Sequence, residues 1–176
     1  MFSIGDAVSY PMHGVGIIEA IESQLTLGEM VSYYVLRFED GRLTTMIPVN
    51  QAERFGMRKL LSVNNCTEAF EYISSAIPVG FSSDWNERRN SISVMLHSGD
   101  LKQLIDVIIS LNTRNGYRGI STGEHRIINA AMKALVSELH IVLKLDEEQI
   151  VSAINTRLYV LRKNMQSCIG STENND

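Results

Sequence analysis

Three prolines, two cysteines and one tryptophan occur in 176 residues. So little proline excludes a collagen-like chain. Cys66 and Cys168 share no metal or redox spacing, which excludes a disulfide scaffold. Both read as free thiols in a reducing cytoplasm. No apolar run reaches the roughly 18 residues that a membrane helix needs. Met1 to Asp6 has neither a basic region nor an apolar core, so no secretory signal is expected and the protein is expected in the cytoplasm. Charge of one sign is not in large excess either: 16 Lys+Arg stand against 20 Asp+Glu, a net charge of −4. With 44% hydrophobic and 20% charged residues, the chain is not intrinsically disordered, and its length fits one large domain or two small ones.

The acidity is unevenly spread. Residues 1–60 hold five basic and seven acidic groups, and 61–84 hold three acidic groups and no basic one. Residues 85–133 hold seven basic against four acidic, with His97 and His125 besides, and 134–176 hold four against six. The middle block is thus locally positive. It can serve as a solvated helix surface or as a phosphate-binding face on an otherwise acidic protein.

The first 60 residues read as strands. Asp6 to Tyr10 alternates and stops at Pro11, and Met12-His13-Gly14 offers turn chemistry. Val15 to Ser23 is β-branched, and Leu27-Gly28-Glu29 looks like a hairpin connection. In Val31 to Phe38, Tyr34, Leu36 and Phe38 share a face at period 2. Asp40-Gly41 signals another hairpin before Leu43 to Ile47, which Pro48 closes. Short strands with tight turns predict a small antiparallel barrel or curled sheet. Its thin core is expected to lean on a neighbour.

From about residue 67 the period becomes helical. Thr67 is a possible cap for a short helix carrying Ala69, Phe70 and Ile73, and Pro78 to Ser83 breaks it. Asp84 is expected to cap a helix running to His97. Ser98-Gly99 ends that helix and Asp100 caps the next, with a stripe of Leu101, Leu104, Ile105, Ile108 and Leu111. Asn115 to Gly119 reads as a loop. Ser121-Thr122-Gly123-Glu124 matches the capping box and opens a helix with Ile127, Ile128, Ala131, Leu135, Leu139 and Val142 on one face. A last helix after Asp146 carries Ile150, Ile154, Leu158, Leu161 and Met165. No internal repeat is visible. The expected organisation is α+β: a small antiparallel β-domain over 1–62, an all-helical domain over 63–169 and a disordered tail over 170–176.

No catalytic constellation is present. His13, His97, His125 and His140 lack metal-ligand spacing, and Glu138 and His140 point to different sides of a helix. Gly14-Val15-Gly16 is too short for a dinucleotide loop and no helix follows it. No metal, cofactor or enzymatic activity is expected. Trp85 stands out instead, because Arg88 and Arg89 follow it three and four residues on, at one end of a helix. An aromatic ring between guanidinium groups suits a surface that tracks a nucleic-acid backbone and inserts or stacks a ring. Ile92 and Leu96 fall within roughly 20° of Trp85 on the helical wheel, so the ring equally reads as the start of a core stripe.

The opening Phe2-Ser3-Ile4-Gly5-Asp6-Ala7-Val8-Ser9-Tyr10-Pro11-Met12-His13-Gly14-Val15-Gly16 resembles the "F-x-x-G-D-x-V-x-Y-P-x-H-G" pattern of the CarD/CdnL bacterial transcription regulators. The likeness continues through Glu19-Ala20-Ile21-Glu22, Tyr33 to Leu36, Leu43-Thr44 and Ile47-Pro48-Val49. Trp85 and Arg88 fall where that family has "W-S-R-R", and Ser98-Gly99-Asp100 and Arg118-Gly119-Ile120-Ser121-x-Gly123-Glu124-x-Arg126 are similar to further signatures. The N-terminal pattern alone is shared with the polymerase-docking domain of transcription-repair coupling factors.

The resemblance implies a Tudor-like or SH3-like barrel that docks on the β subunit of RNA polymerase, and a helical domain at the upstream edge of the transcription bubble. It implies that Trp85 wedges into the minor groove and stabilises the open complex. Arg88, Arg89, His125 and Arg126 would then hold DNA with little sequence specificity. Gln24, Thr44, Thr45, Met46, Ile47 and Pro48 would face polymerase, by pairing of an exposed strand edge. A monomer is expected. The departures from the family pattern are Glu87, Arg89, Asn90 and His125 in the helical part, and Gln24 and Met46, which replace cations in the β-domain. They leave open a protein-interaction adaptor whose helices meet no DNA.

Overall fold

A computed structural model describes residues 1–11, 13–38, 44–115 and 119–170, with the backbone alone for 165–170. The Asp40-Gly41 hairpin signal, the start of the fourth strand at Leu43, most of the Asn115 to Gly119 loop, Met12 and the tail after Gly170 lie outside what it describes, as do the side chains of Met165 and Cys168. Among the described residues five strands come first: β1 (Ala7–Tyr10), β2 (Gly14–Thr26), β3 (Glu29–Phe38), β4 (Thr44–Pro48) and β5 (Arg58–Lys59). Five α-helices follow: α1 (Val63–Ser75), α2 (Trp85–His97), α3 (Leu101–Asn115), α4 (Thr122–Leu143) and α5 (Glu147–Gly170). The α+β organisation expected from the sequence is the one observed.

The strands form one antiparallel sheet in the order β4-β3-β2-β1-β5. Leu27 and Gly28, both at positive φ (50° and 87°), turn β2 into β3, with Thr26 opposite Glu29. Two residues with positive φ match the right-handed twist of the flanking strands. The β2–β3 register shifts between Ile18 and Ala20, and a bulge of this kind bends a strand and increases its twist. The sheet wraps a core of Phe2, Val8, Ile18, Tyr34, Leu36, Phe38, Ile47, Ala52 and Met57. The Tyr34 hydroxyl accepts a 3.0 Å bond from the Phe2 N–H and ties down the N-terminal segment. β5 has only two residues, too few for a pattern, and was not anticipated.

The helical domain has its own core. α3 lies at its centre, packed on α1, α2, α4 and α5, with Leu101, Leu104, Ile105, Val107, Ile108, Ile109 and Leu111 buried. The anticipated stripes of α4 and α5 point inward at Ile128, Ala131, Leu135 and Leu139, and at Ile150, Ile154, Leu158 and Leu161. α1 begins earlier than Thr67. Ser62 is its cap, accepting 3.3 Å from Asn65 N–H while its hydroxyl donates 2.8 Å to Asn65 Oδ1. Cys66, on the inner face of α1, is a free thiol pushed up to about 11 by burial, with Glu138 nearby adding to the rise and Arg58 opposing it.

The two domains meet along α4. Ser137 Oγ accepts a 3.2 Å bond from Val15 N–H and donates 3.2 Å to Ala134 C=O. Gly14 sits at φ +87°, and a Cβ there would run into Ser137 Oγ, so glycine is required both for the turn and for the close approach. Arg58 reaches across from β5 to Glu138 in a bidentate pair at 2.6 and 2.9 Å, and Leu61 N–H donates 3.0 Å to the same carboxylate. Glu138 is 1% exposed, so these three bonds stand in for its lost hydration. The β-domain thus leans on the helices, as its thin core requires.

Candidate nucleic-acid interface and docking edge

The corner where α2 and α4 begin is built by caps. Asp84 Oδ1 accepts 2.9 Å from Glu87 N–H, which starts α2 at Trp85. Ser82 Oγ donates 2.8 Å to Glu87 Oε2 and accepts 3.1 Å from Asp84 N–H, fixing the preceding loop. Ser121 and Glu124 form the complete capping box that opens α4: Glu124 N–H donates to Ser121 Oγ at 3.2 Å, and Ser121 N–H donates to Glu124 Oε2 at 2.8 Å. Both caps follow from local spacing alone.

Trp85 is 39% exposed, although Ile92 and Leu96 on the same helix are buried. The buried face of α2 is Arg88, Ile92 and Leu96, spaced by four. A guanidinium, not the indole, starts the stripe. Arg88 Nε donates 2.8 Å to Glu124 Oε1, and Nη1 donates to the carbonyls of Ser82, Ser83 and Asp84 at 2.8, 3.0 and 3.3 Å. Its Cζ lies 5.4 Å from the centre of the Trp85 ring, within cation–π range. The two side chains of the ion pair are 7% and 2% exposed. Burial alone would push the Glu124 carboxyl up, but the bonds from Ser121 and Arg88 outweigh it and hold the group below its ordinary value.

The anticipated DNA-facing residues therefore divide. Trp85, Arg89, His125 and Arg126 are exposed near the corner where α2 and α4 begin, the last two in the first two turns of α4. Gly123, in the first turn, faces the indole: a Cβ added there would sit 3.9 Å from Trp85 Cη2. Arg88 is turned inward, and in this arrangement its guanidinium is not available to a phosphate. Glu87 holds the Ser82 loop, and Asn90 is exposed.

The anticipated docking residues also come together. β4 is an edge strand: among the described residues it pairs only with β3. Tyr33 stands opposite Pro48, and proline has no N–H, so that pair exchanges no bonds. By the alternation of an antiparallel ladder, Thr45 and Ile47 bond to β3, while Thr44 and Met46 turn their N–H and C=O groups outward. Ile47 is 2% exposed and belongs to the core; Met46 is 38% exposed. Gln24 Nε2 lies 3.7 Å from Met46 Sδ, which brings these two uncharged side chains of β2 and β4 into contact. Arg37, a further cation near this edge, is paired with Glu19 at 2.7 Å.

The His13 motif does something the sequence did not disclose. His13 stacks on Tyr10 at 5.5 Å and meets Phe38 at 5.3 Å, and burial and Lys133 lower its pKa. Among the described residues, no group of three or more His, Cys, Asp or Glu could hold a metal ion, and no helix is long and apolar enough to cross a membrane.

The chain thus joins a small antiparallel β-domain, with β4 at one edge of its sheet, to a helical domain that carries an exposed indole. Its two halves each match a family profile: CarD-like/TRCF RID domain over residues 2–61, and CarD, C-terminal domain over residues 69–155. The chain is 30% identical to the "Putative transcription factor YdeB" of Bacillus subtilis (strain 168) over 157 residues, which cover 86% of this chain and 99% of that protein. The chain belongs to the CarD/CdnL family of transcription regulators.

Proposed function

We propose that the protein is a non-catalytic transcription regulator that docks on the RNA polymerase β subunit through the β4 edge and stabilises the promoter open complex with Trp85. The observation that carries this reading is the exposed indole of the chain's single tryptophan, at a corner shared with exposed Arg89, His125 and Arg126. Arg89 and Arg126 hold phosphates, with His125 as a further hydrogen-bonding side chain, and such contacts position the protein without reading sequence. The ring then fills the space that opens where base pairs separate, a stacking contact worth about 1–3 kcal/mol per base. Arg88 contributes from behind the ring.

Family membership supports the polymerase contact, and the outward N–H and C=O groups of Thr44 and Met46 supply what a pairing strand requires. The test is co-purification of the full chain with the host polymerase, followed by binding to forked promoter DNA across a salt series. A regulator of this kind binds forked DNA with affinity that falls steeply with salt. Binding to polymerase with no salt-dependent affinity for forked DNA would instead establish the adaptor reading, which the acidic Asp84 and Glu87 beside the indole favour.

A further inference from the structure

Arg88 has five N–H donors on a planar fork, and its surroundings are built around that shape. One edge meets Glu124, and Nη1 meets the last three carbonyls before α2, at Ser82, Ser83 and Asp84. The carboxylate of Glu124 is shared between two tasks. Oε1 takes Arg88 from α2, while Oε2 takes the Ser121 N–H and hydroxyl at 2.8 and 3.0 Å. One buried carboxylate therefore closes the cap of α4 and joins it to the start of α2. Trp85 rests on this joint, with the Arg88 guanidinium on one side and the Gly123 backbone of α4 on another.

We propose that Arg88 and Glu124 are positioning residues for Trp85: they lock the starts of α2 and α4 side by side and hold the indole outward, and Arg88 itself does not touch DNA. The inference deepens the proposed function and rests on the DNA-facing role of Trp85. A ring that inserts at a fork gains most when its orientation is fixed beforehand, because no ordering remains to be done on binding. Lysine cannot replace arginine at such a joint: it keeps the charge but has no fork to span a carboxylate and three carbonyls.

The test compares Arg88→Lys, Glu124→Gln and Arg126→Gln in the full chain. Trp85 is the only tryptophan, so emission and acrylamide quenching report its setting directly, with no DNA present. Arg88→Lys and Glu124→Gln are expected to shift Trp85 emission and raise its quenching, and to weaken binding to forked DNA at every salt concentration without changing the salt slope. Arg126→Gln is expected to leave Trp85 emission unchanged and reduce the slope by about 1, the signature of one lost phosphate contact. A slope reduced by about 1 in Arg88→Lys would overturn the proposal in favour of a phosphate contact. An unchanged indole signal in both joint variants would overturn it as well. Loss of the fold in both would make the pair a general stabiliser and overturn it too; if only one unfolds, the other decides. Should wild-type protein bind no forked DNA, the proposed function fails, while the fluorescence of the free variants still shows whether the pair sets the indole.

Discussion

A guanidinium taken out of water costs several kcal/mol unless its donors find partners. Arg88 meets that demand with a carboxylate and three carbonyls, and Trp85 is left at the surface as a result. Removing the charge from Glu124 tests this arrangement against pH. The folded-state pKa of Glu124 lies below its ordinary 4.5, so its contribution to stability is fully present above 4.5 and is lost as pH falls through the folded value. The melting temperature of the wild type is expected to exceed that of Glu124→Gln at pH 7, and the gap is expected to narrow below about pH 4.5. A gap constant from neutral to strongly acid pH would show that this carboxylate is not stabilised as described. Little of this was legible beforehand. The spacing Trp85-x-x-Arg88 was visible, but charged side chains are so seldom buried that a solvent-facing Arg88 was the natural expectation.

Among the elements, those set by local chemistry were read correctly. The Asp84 cap, the Ser121–Glu124 box, the α3 stripe and the Leu27-Gly28 turn each depend on residues within a few positions of one another. Ser62 was missed because Thr67 is an equally acceptable cap type and Val63-Asn64-Asn65 carries no helical pattern. The β4 edge permits a sharper experiment than its sequence did. Thr45 and Ile47 are committed to β3, so proline at either would damage the sheet itself. Met46→Pro is the variant to make, since it removes an outward donor while sparing the β3 ladder. It is expected to abolish polymerase binding with little change in melting temperature. Because Met46 and Gln24 carry no charge and Arg37 is already paired, wild-type docking is expected to depend weakly on salt. A collapse of affinity between low and moderate salt would move the contact to other cations, Arg54 and Arg42 first.

At the scale of the whole molecule, the two domains are joined by groups that no reading along the chain could pair. Arg58 and Glu138 are 80 residues apart, and along the chain Glu138 has only His140 as a nearby titratable neighbour on its own helix turn. The asymmetry of the pair makes a prediction. Arg58 is 24% exposed and Glu138 1%, so the arginine can rehydrate when orphaned and the glutamate cannot. Arg58→Ala is therefore expected to cost about 3–5 kcal/mol in chemical denaturation, the range for breaking one side of a buried pair, and Glu138→Ala distinctly less. The reverse order would mean that the joint depends on Arg58 packing more than on the buried charge. On the proposed function a firm joint would matter, because it would set the distance between the β4 edge and the indole. If the proposed function holds, polymerase bound at one end would present Trp85 at a constant place on the DNA.

The central claim is that Trp85 acts on DNA from the surface and does not serve the core. The most direct measurement is the lifetime of the promoter open complex on the host polymerase with wild-type protein, with Trp85→Ala and with no protein. The account predicts that Trp85→Ala melts within a few degrees of wild type and co-purifies with polymerase. It also predicts that the variant loses most of a lifetime extension of roughly ten- to a hundredfold, the equivalent of about 1–3 kcal/mol of stacking. A Trp85→Ala protein that extends the lifetime as well as wild type, or one that unfolds outright, would contradict it.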